Sequence, residues 1–269
     1  MLVIVFFTSC SKESSEDQNN DVYQVSFNTS FIDYDISDLK SSSESLTAID
    51  YVLFDESGNF IKSEKFDIND DISDMLPIGN YSVGIVIHGI TSSSFTGGPG
   101  IDQYYWQSND RLTSSIFFNK KQFSIKADQT NEISLDLKRV TGRLVLNIQD
   151  LPASVTKIKL EWDEYYPIGF KLSDLRGGYY PSNSITTDVN NLTFNFIVDP
   201  FDSDALHDIS ISCFNSADEV LAIKSLNAVP VERNKLTTVS GNMFEDGSTS
   251  SNRISYNTEE WGESIDFNF

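Results

Sequence analysis

The sequence predicts an all-β protein. Apolar and polar residues alternate in short runs along most of the chain, as at Tyr81, Val83, Ile85 and Ile87, and a period of two is typical of half-buried strands. Helical periodicity is almost absent. The chain also contains 19 Phe and 11 Tyr, and 39% of its residues are apolar, which is the composition of a folded, strand-rich protein.

The length and the spacing of the strand patterns predict two folded units. A chain of 269 residues exceeds the roughly 100 to 200 residues of a typical domain. Two series of strand patterns meet near Arg139, and residues 123–137 and 229–244 close them with the same strand, polar turn and alternating strand. We expect a targeting segment and tether at 1–20, a first β domain at 21–138 and a second at 139–269.

The first ten residues, MLVIVFFTSC, have the pattern of a lipoprotein signal: an apolar run, small residues and then Cys10. Residues 11–20 are all polar, as in a solvated tether. The alternative is a buried N-terminal strand with an ordinary thiol, which the polar flank opposes. We therefore expect lipid attachment at Cys10, which would place the rest of the chain outside the cell on the outer membrane.

Strands are predicted in the first half from Tyr23 to Phe31 and over 46–54, 60–68, 81–87, 115–118, 123–127 and 132–137. In the second half they are predicted over 140–148, 157–162, 192–198, 209–214 and 220–226, and as two strands separated by a polar turn within 229–244. Residues 88–115 and 163–189 are rich in Gly, Ser and Asn and lack the alternation. We expect two long loops there, and such loops are often functional.

Charge and cysteine content exclude several classes of protein. The net charge is −21, so nucleic acid and anionic lipid surfaces would be repelled, and no nucleic-acid partner is expected. The acidic balance suits the solubility of an exposed surface protein. The two cysteines, Cys10 and Cys213, form no disulfide if the first is lipidated, and Cys213 is expected in the core.

A search for catalytic and metal-binding patterns is negative. His88 and His207 are the only histidines, so no zinc set and no general base is apparent. Asp67, Asn69 and Asp71 are spaced like a calcium loop, but the Gly and Glu that such a loop needs are missing. We expect no enzyme activity, no metal and no cofactor.

Three neighbouring aromatic residues, Tyr104, Tyr105 and Trp106, lie in the first of the Gly-rich stretches. Two interpretations are open. Exposed rings could stack on sugars and make the chain a surface glycan-binding lipoprotein. Buried rings would instead pin a long loop onto the sheet beneath it.

Several motifs together resemble the fimbrillin-like proteins of Bacteroidetes. They are the signal ending in Cys10, the strand running into Phe54-Asp55 with its Gly58 turn, and the sequences LPIGNY (76–81), VTGRLVL (140–146) and PVERNKLTTVSG (230–241). The resemblance spans most of the chain and implies two tandem transthyretin-like β-sandwich domains. It also implies lipid attachment at Cys10, a place at the base of a fimbria with other fimbrial subunits as partners, and no enzyme activity.

In that family, polymerising subunits lose an N-terminal strand by cleavage at Arg or Lys, and a neighbour's strand fills the groove by β-augmentation. Here the first arginine is Arg111, and Lys12 and Lys40 are the only basic residues before Lys62. The chain therefore resembles an anchor or terminating subunit, with cleavage at Lys40 as the alternative. The segment 254–269, with Trp261, is expected to be either a last core strand or a strand donated to a partner.

Overall fold

The all-β prediction is confirmed by the computed structural model. It describes residues 21–31, 46–90, 92–108, 112, 114–162, 169–175, 177–179, 184–190, 192–198, 206–244 and 255–260. These residues form nineteen strands and one short 3-10 helix, Ile101–Gln103. In this part of the chain no helix is long and apolar enough to span a membrane.

The strands of the first half are β1 Val22–Phe31, β2 Ala48–Asp55, β3 Phe60–Asp67, β4 Ile72–Pro77, β5 Gly79–His88, β6 Ser93–Gly97, β7 Tyr104–Ser108, β8 Ile116–Ile125 and β9 Asn131–Arg139. Those of the second half are β10 Thr141–Ile148, β11 Lys157–Trp162, β12 Gly169–Lys171, β13 Gly177–Tyr179, β14 Ser184–Asp188, β15 Thr193–Ile197, β16 Leu206–Phe214, β17 Val220–Pro230, β18 Lys235–Gly241 and β19 Ser255–Glu260.

The first half is a β-sandwich. One layer has the strand order β3-β2-β5-β8 and the other the order β4-β1-β9, and the two are joined where Phe117 and Phe118 pair with Arg139 and Lys138. Alternate residues of both layers face each other and form one core, which includes Val25, Leu53, Ile85 and Leu135. The sandwich therefore follows directly from the alternation seen in the sequence.

The second half repeats this plan. Its layers have the orders β14-β11-β16-β17 and β15-β10-β18-β19, with a core of their own that includes Leu144, Ile158, Phe194 and Cys213. β10 runs parallel to β18 and antiparallel to β15, as β1 does to β9 and β4. The two tandem sandwiches predicted for the fold are thus confirmed, and among the described strands β19 is the one in the second sandwich without a counterpart in the first.

A small third sheet, of order β13-β12-β7-β6, joins the halves. Its strands β6 and β7 come from the stretch 88–115, whereas β12 and β13 come from 163–189, so the prediction that these stretches are only loops is wrong. The small sheet covers the outer face of β2, β5 and β8, where Val52, Val86 and Phe118 pack under Phe170. One face of β2 packs in the core of the sandwich and the other lies under the small sheet. β2 is therefore buried along almost its whole length.

The junction between the halves is tight. β9 ends at Arg139 and β10 begins at Thr141, so the predicted boundary at 138 and 139 falls in the last residues of β9. The residue between these strands, Val140, donates its amide to Ile116 O at 2.9 Å and accepts from the Val198 amide at 3.1 Å. The halves therefore share hydrogen bonds and a buried cluster, instead of meeting through a linker.

Candidate functional site

The strand β1 occupies the centre of its layer. It pairs in parallel with β9 on one side and antiparallel with β4 on the other. Val25 and Phe27 point into the core, where the Phe27 ring lies 5.5 Å from Tyr51 and 5.4 Å from Phe123. All described parts of β1 are thus integrated in the sandwich.

The position of β1 defines a slot between β4 and β9. Among the strands that the structure describes, β4 pairs with β1 alone. If β1 left, the facing backbone groups of β4 and β9 would lose their hydrogen-bond partners. A strand from another protein, running in the same direction as β1, could then form these hydrogen bonds instead. The slot is therefore a candidate subunit interface that β1 fills in this structure.

One ion-pair cluster holds β4 independently of β1. Asp74 on β4 accepts hydrogen bonds from Lys62 on β3 at 2.7 Å and from the Tyr51 hydroxyl on β2 at 3.0 Å. Burial and the Asp74 carboxylate raise the pKa of Tyr51, so this hydroxyl stays protonated and remains a donor. The contacts cross from one layer of the sandwich to the other and close the side of the slot that β4 forms.

The three candidate glycan-contacting aromatics have different environments. Tyr104 and Trp106 on β7 are buried, and Trp106 is fully inaccessible, so these two rings match the interpretation in which buried rings pin this stretch onto the sheet beneath it. They point down onto the main sheet, because alternate residues of β7 face it. Tyr105 is half-buried, and glycan contact stays a prediction for that ring alone.

Trp106 belongs to a buried polar cluster centred on Asp50. The Asp50 Oδ2 atom accepts hydrogen bonds from Trp106 Nε1 at 2.7 Å, from His88 Nε2 at 2.9 Å and from the Ser93 hydroxyl at 2.7 Å. Lys65 lies 3.3 Å from Oδ1. These five residues lie on five strands, β2, β3, β5, β6 and β7, so the cluster fastens the small sheet to the main one.

The trio Ser93, His88 and Asp50 contains the residue types of a hydrolase triad, but its geometry differs. The Ile90 amide donates to His88 Nδ1 at 3.0 Å, so this nitrogen carries no proton and Nε2 is the donor. Asp50 and Ser93 both lie on that same Nε2 side. A triad needs an unprotonated nitrogen facing the serine while the carboxylate binds the other nitrogen, and here neither condition holds.

Hydrogen bonding stabilises the charge on Asp50. Burial alone would raise the pKa of this carboxyl, but the hydrogen bonds from His88, Ser93 and Trp106 outweigh burial and lower its pKa to about 2. The carboxylate is therefore ionised at neutral pH and is fully used in holding its neighbours. The cluster's role in this arrangement is structural.

The remaining sequence-predicted sites are placed as follows. Cys10, Lys12, Lys40, Arg111 and Trp261 lie outside the described residues. Cys213 is in the second core, as expected for a small apolar residue. Asp67, Asn69 and Asp71 surround a tight turn in which Asp70 accepts from the Asp67 amide, and the described residues contain no group of three His, Cys, Asp or Glu able to hold a metal ion.

The Asp50 cluster was missed in the sequence. The sequence did contain one indication of it. Asp50 is the only charged residue among the first seven residues of β2, AIDYVLFD, and the other six are apolar. A buried acid of this kind needs partners. Its partners lie up to 56 residues away, and only the fold brings them together.

Two solved structures are similar to this chain in fold. A proposed adhesin from Bacteroides ovatus is 11% identical with a TM-score of 0.53, over 83% of this chain and 88% of that one. A proposed polysaccharide-binding protein from Bacteroides thetaiotaomicron is 10% identical with a TM-score of 0.51, over 81% and 92%. The chain thus has the two-sandwich fold of these proteins, and the resemblance to the fimbrillin-like family is confirmed in the fold.

The fimbrial anchor protein Mfa2 from Porphyromonas gingivalis is also similar, at 11% identity and a TM-score of 0.46 over 88% of this chain and 95% of that one. The chain belongs to the family of unknown function DUF6562, whose sequence model matches residues 102–266. No curated protein sequence matches it significantly.

Proposed function

We propose that this chain is a structural subunit of a cell-surface fimbria, held at the outer membrane by a lipid on Cys10 and acting as an anchor or terminating accessory subunit. The fold supports a surface role, because it is shared with a proposed adhesin. The sequence supports lipid attachment, through the apolar run that ends in Cys10. The function requires no catalytic site.

The observation that carries the proposal is the position of β1. β4 pairs with its residues 22–27 and β9 with its residues 25–31, and Val25 and Phe27 are buried. While β1 stays in place, no neighbour can insert a strand into that slot. A subunit with a closed slot ends a chain of strand-exchanging subunits on that side, as an anchor or terminator does.

The chain between Cys10 and β1 sets the distance from the membrane. Residues 11–21 are polar and span at most about 35 to 40 Å when extended. The net charge of −21 disfavours contact with an anionic headgroup surface. The sandwiches are therefore held close to the membrane without lying on it.

Deletion and lipid-site variants test the proposal. Loss of the protein should alter fimbrial length or release fimbriae into the medium, and unchanged fimbriae would contradict an anchoring role. Cys10→Ser should move the folded protein from the membrane fraction to the soluble fraction.

A Lys40→Gln variant distinguishes an anchor from a stalk subunit. An anchor should assemble normally without cleavage after β1. A stalk subunit that needs this cleavage should fail to polymerise.

A further inference from the structure

The small sheet leaves one part of the outer face of β5 and β8 open. Its cover ends near Gly84 on β5, where Leu172 packs against the main sheet. Beyond this border lie two adjoining hollows with volumes of about 350 and 440 Å³, which share Glu56, Ser82 and Gln122. We call the two hollows together the open groove.

The floor of the open groove consists of polar, uncharged side chains. Asn80 on β5 lies opposite Ser124 on β8, and Ser82 lies opposite Gln122. Alternate residues of these strands face the core, so these four point outward. Ser124 donates to Asn80 Oδ1 at 2.6 Å, and the Asn80 amide donates to Glu56 at 3.2 Å. Gln122 is exposed and Ser82 is half-buried, and neither side chain has a hydrogen-bond partner among the described residues.

The wall of the open groove is the turn between β2 and β3, residues 56–58. Asp55 accepts hydrogen bonds from the Asn59 backbone amide at 2.8 Å and from Asn59 Nδ2 at 3.0 Å. The Ile101 amide donates to Gly58 O at 2.9 Å. Gly58 has a φ of +80°, in the left-handed region that favours glycine. The wall is therefore fixed by its own hydrogen bonds, and Ile101 adds one apolar contact to the groove.

The charges around the open groove oppose an anionic ligand. Glu56 adds a carboxylate to the wall. The Lys120 ammonium lies near the Asp102 and Asp174 carboxylates, and the Lys121 ammonium donates to a backbone carbonyl of β9 at 2.7 Å. Both cations are thus already used, and the chain as a whole carries a charge of −21. A phosphate or sulfate group would meet net repulsion here.

We propose that the open groove binds an uncharged oligosaccharide, which is a function separate from that of a fimbrial anchor. Sugar hydroxyl groups both donate and accept, and the groove offers both kinds of partner in the Gln122 amide, the Ser82 hydroxyl and the Glu56 carboxylate. An aliphatic or aromatic ligand fits less well, because all four floor side chains are polar. Ligand pockets usually have volumes of about 300 to 1,000 Å³, and both hollows fall in that range.

Isothermal titration calorimetry tests this binding in the full chain carrying Cys10→Ser, which keeps the protein out of membranes. The probes are maltotetraose, cellotetraose, mannotetraose and lactose, with sialyllactose as the anionic counterpart of lactose. At least one neutral probe should bind. Gln122→Ala should weaken that binding about tenfold, because a hydrogen bond to the ligand is lost. Gln24→Ala, which removes an exposed glutamine on β1, is the matched control and should leave the affinity unchanged.

Three results would overturn the proposal. Absence of binding by every neutral probe at millimolar concentration would show that the groove does not take uncharged sugars. Tighter binding of sialyllactose than of lactose would show that the site selects an anion. Binding that survives Gln122→Ala but is lost in Tyr105→Ala would place the sugar on β7 instead. All of these measurements use purified protein, so their failure leaves the anchoring proposal untouched.

Discussion

The rings of Phe118 and Phe170 pack with their centroids 5.0 Å apart, although Phe118 belongs to the first half of the chain and Phe170 to the second. Phe170 is fully buried, and the Trp106 ring stacks on it at 5.5 Å. The second half therefore supplies part of the hydrophobic cluster on the outer face of the first sandwich.

This packing predicts that the two halves unfold together. Phe170→Ala removes a large buried ring and should lower the free energy of unfolding by about 3 to 5 kcal/mol. Denaturant titration followed by tryptophan fluorescence and by circular dichroism should give one coincident transition for the native protein. Two separate transitions in the native protein would contradict the coupling. Tyr105→Ala is the control, because Tyr105 lies on the same strand as Trp106 but is only half-buried. It should lower the free energy of unfolding much less than Phe170→Ala does.

The Asp50 cluster predicts a loss of stability in acid. The pKa of Asp50 is about 2 in the folded protein and about 3.9 in an unfolded chain. Because the folded value is the lower one, ionised Asp50 contributes about 2 kcal/mol above pH 4, and this contribution is lost as the pH falls from 4 to 2. Urea titrations across this range in native protein and Asp50→Asn should show a smaller pH dependence in the variant. Equal slopes would contradict the assignment.

At neutral pH, Asp50→Asn should also destabilise the fold directly. An uncharged amide accepts the hydrogen bonds from His88, Ser93 and Trp106 less strongly than a carboxylate does. Its NH₂ group is itself a donor and would lie against other hydrogen-bond donors. The expected loss is about 2 to 4 kcal/mol, measured by thermal or chemical unfolding. Lys65→Gln is the matched control, because Lys65 is 43% exposed and its contact with Asp50 should contribute less than about 1 kcal/mol.

The buried thiol of Cys213 should be inert. Burial, followed by the nearby Asp150 carboxylate, raises the pKa of Cys213 to about 11, and the side chain is fully inaccessible. At pH 8 the thiolate is therefore scarce and shielded. In the Cys10→Ser protein, a thiol reagent should label Cys213 only after denaturant is added, and rapid labelling of the folded protein would place the residue outside the core.

The sequence predicted the parts of this fold that depend on local pattern. Alternation located β1, β5 and β9, a largely apolar run located β2, and the similar endings of the two halves indicated the duplication. The small sheet was missed because β7 and β12 stabilise each other across about 60 residues of chain, and each is too short to have a clear pattern. The structural roles of Asp50 and Trp106 were missed for the same reason, because these residues contact partners that lie far away in the sequence.

We propose above that this protein keeps its first strand and ends a fimbria at the membrane. Intact mass analysis of the protein extracted from purified outer membranes tests it most directly. The account predicts a chain that begins with a lipid-modified Cys10 and still contains residues 22–31. A mature chain that begins at Ser41, after cleavage at Lys40, would contradict it, because β1 would then have left the slot between β4 and β9.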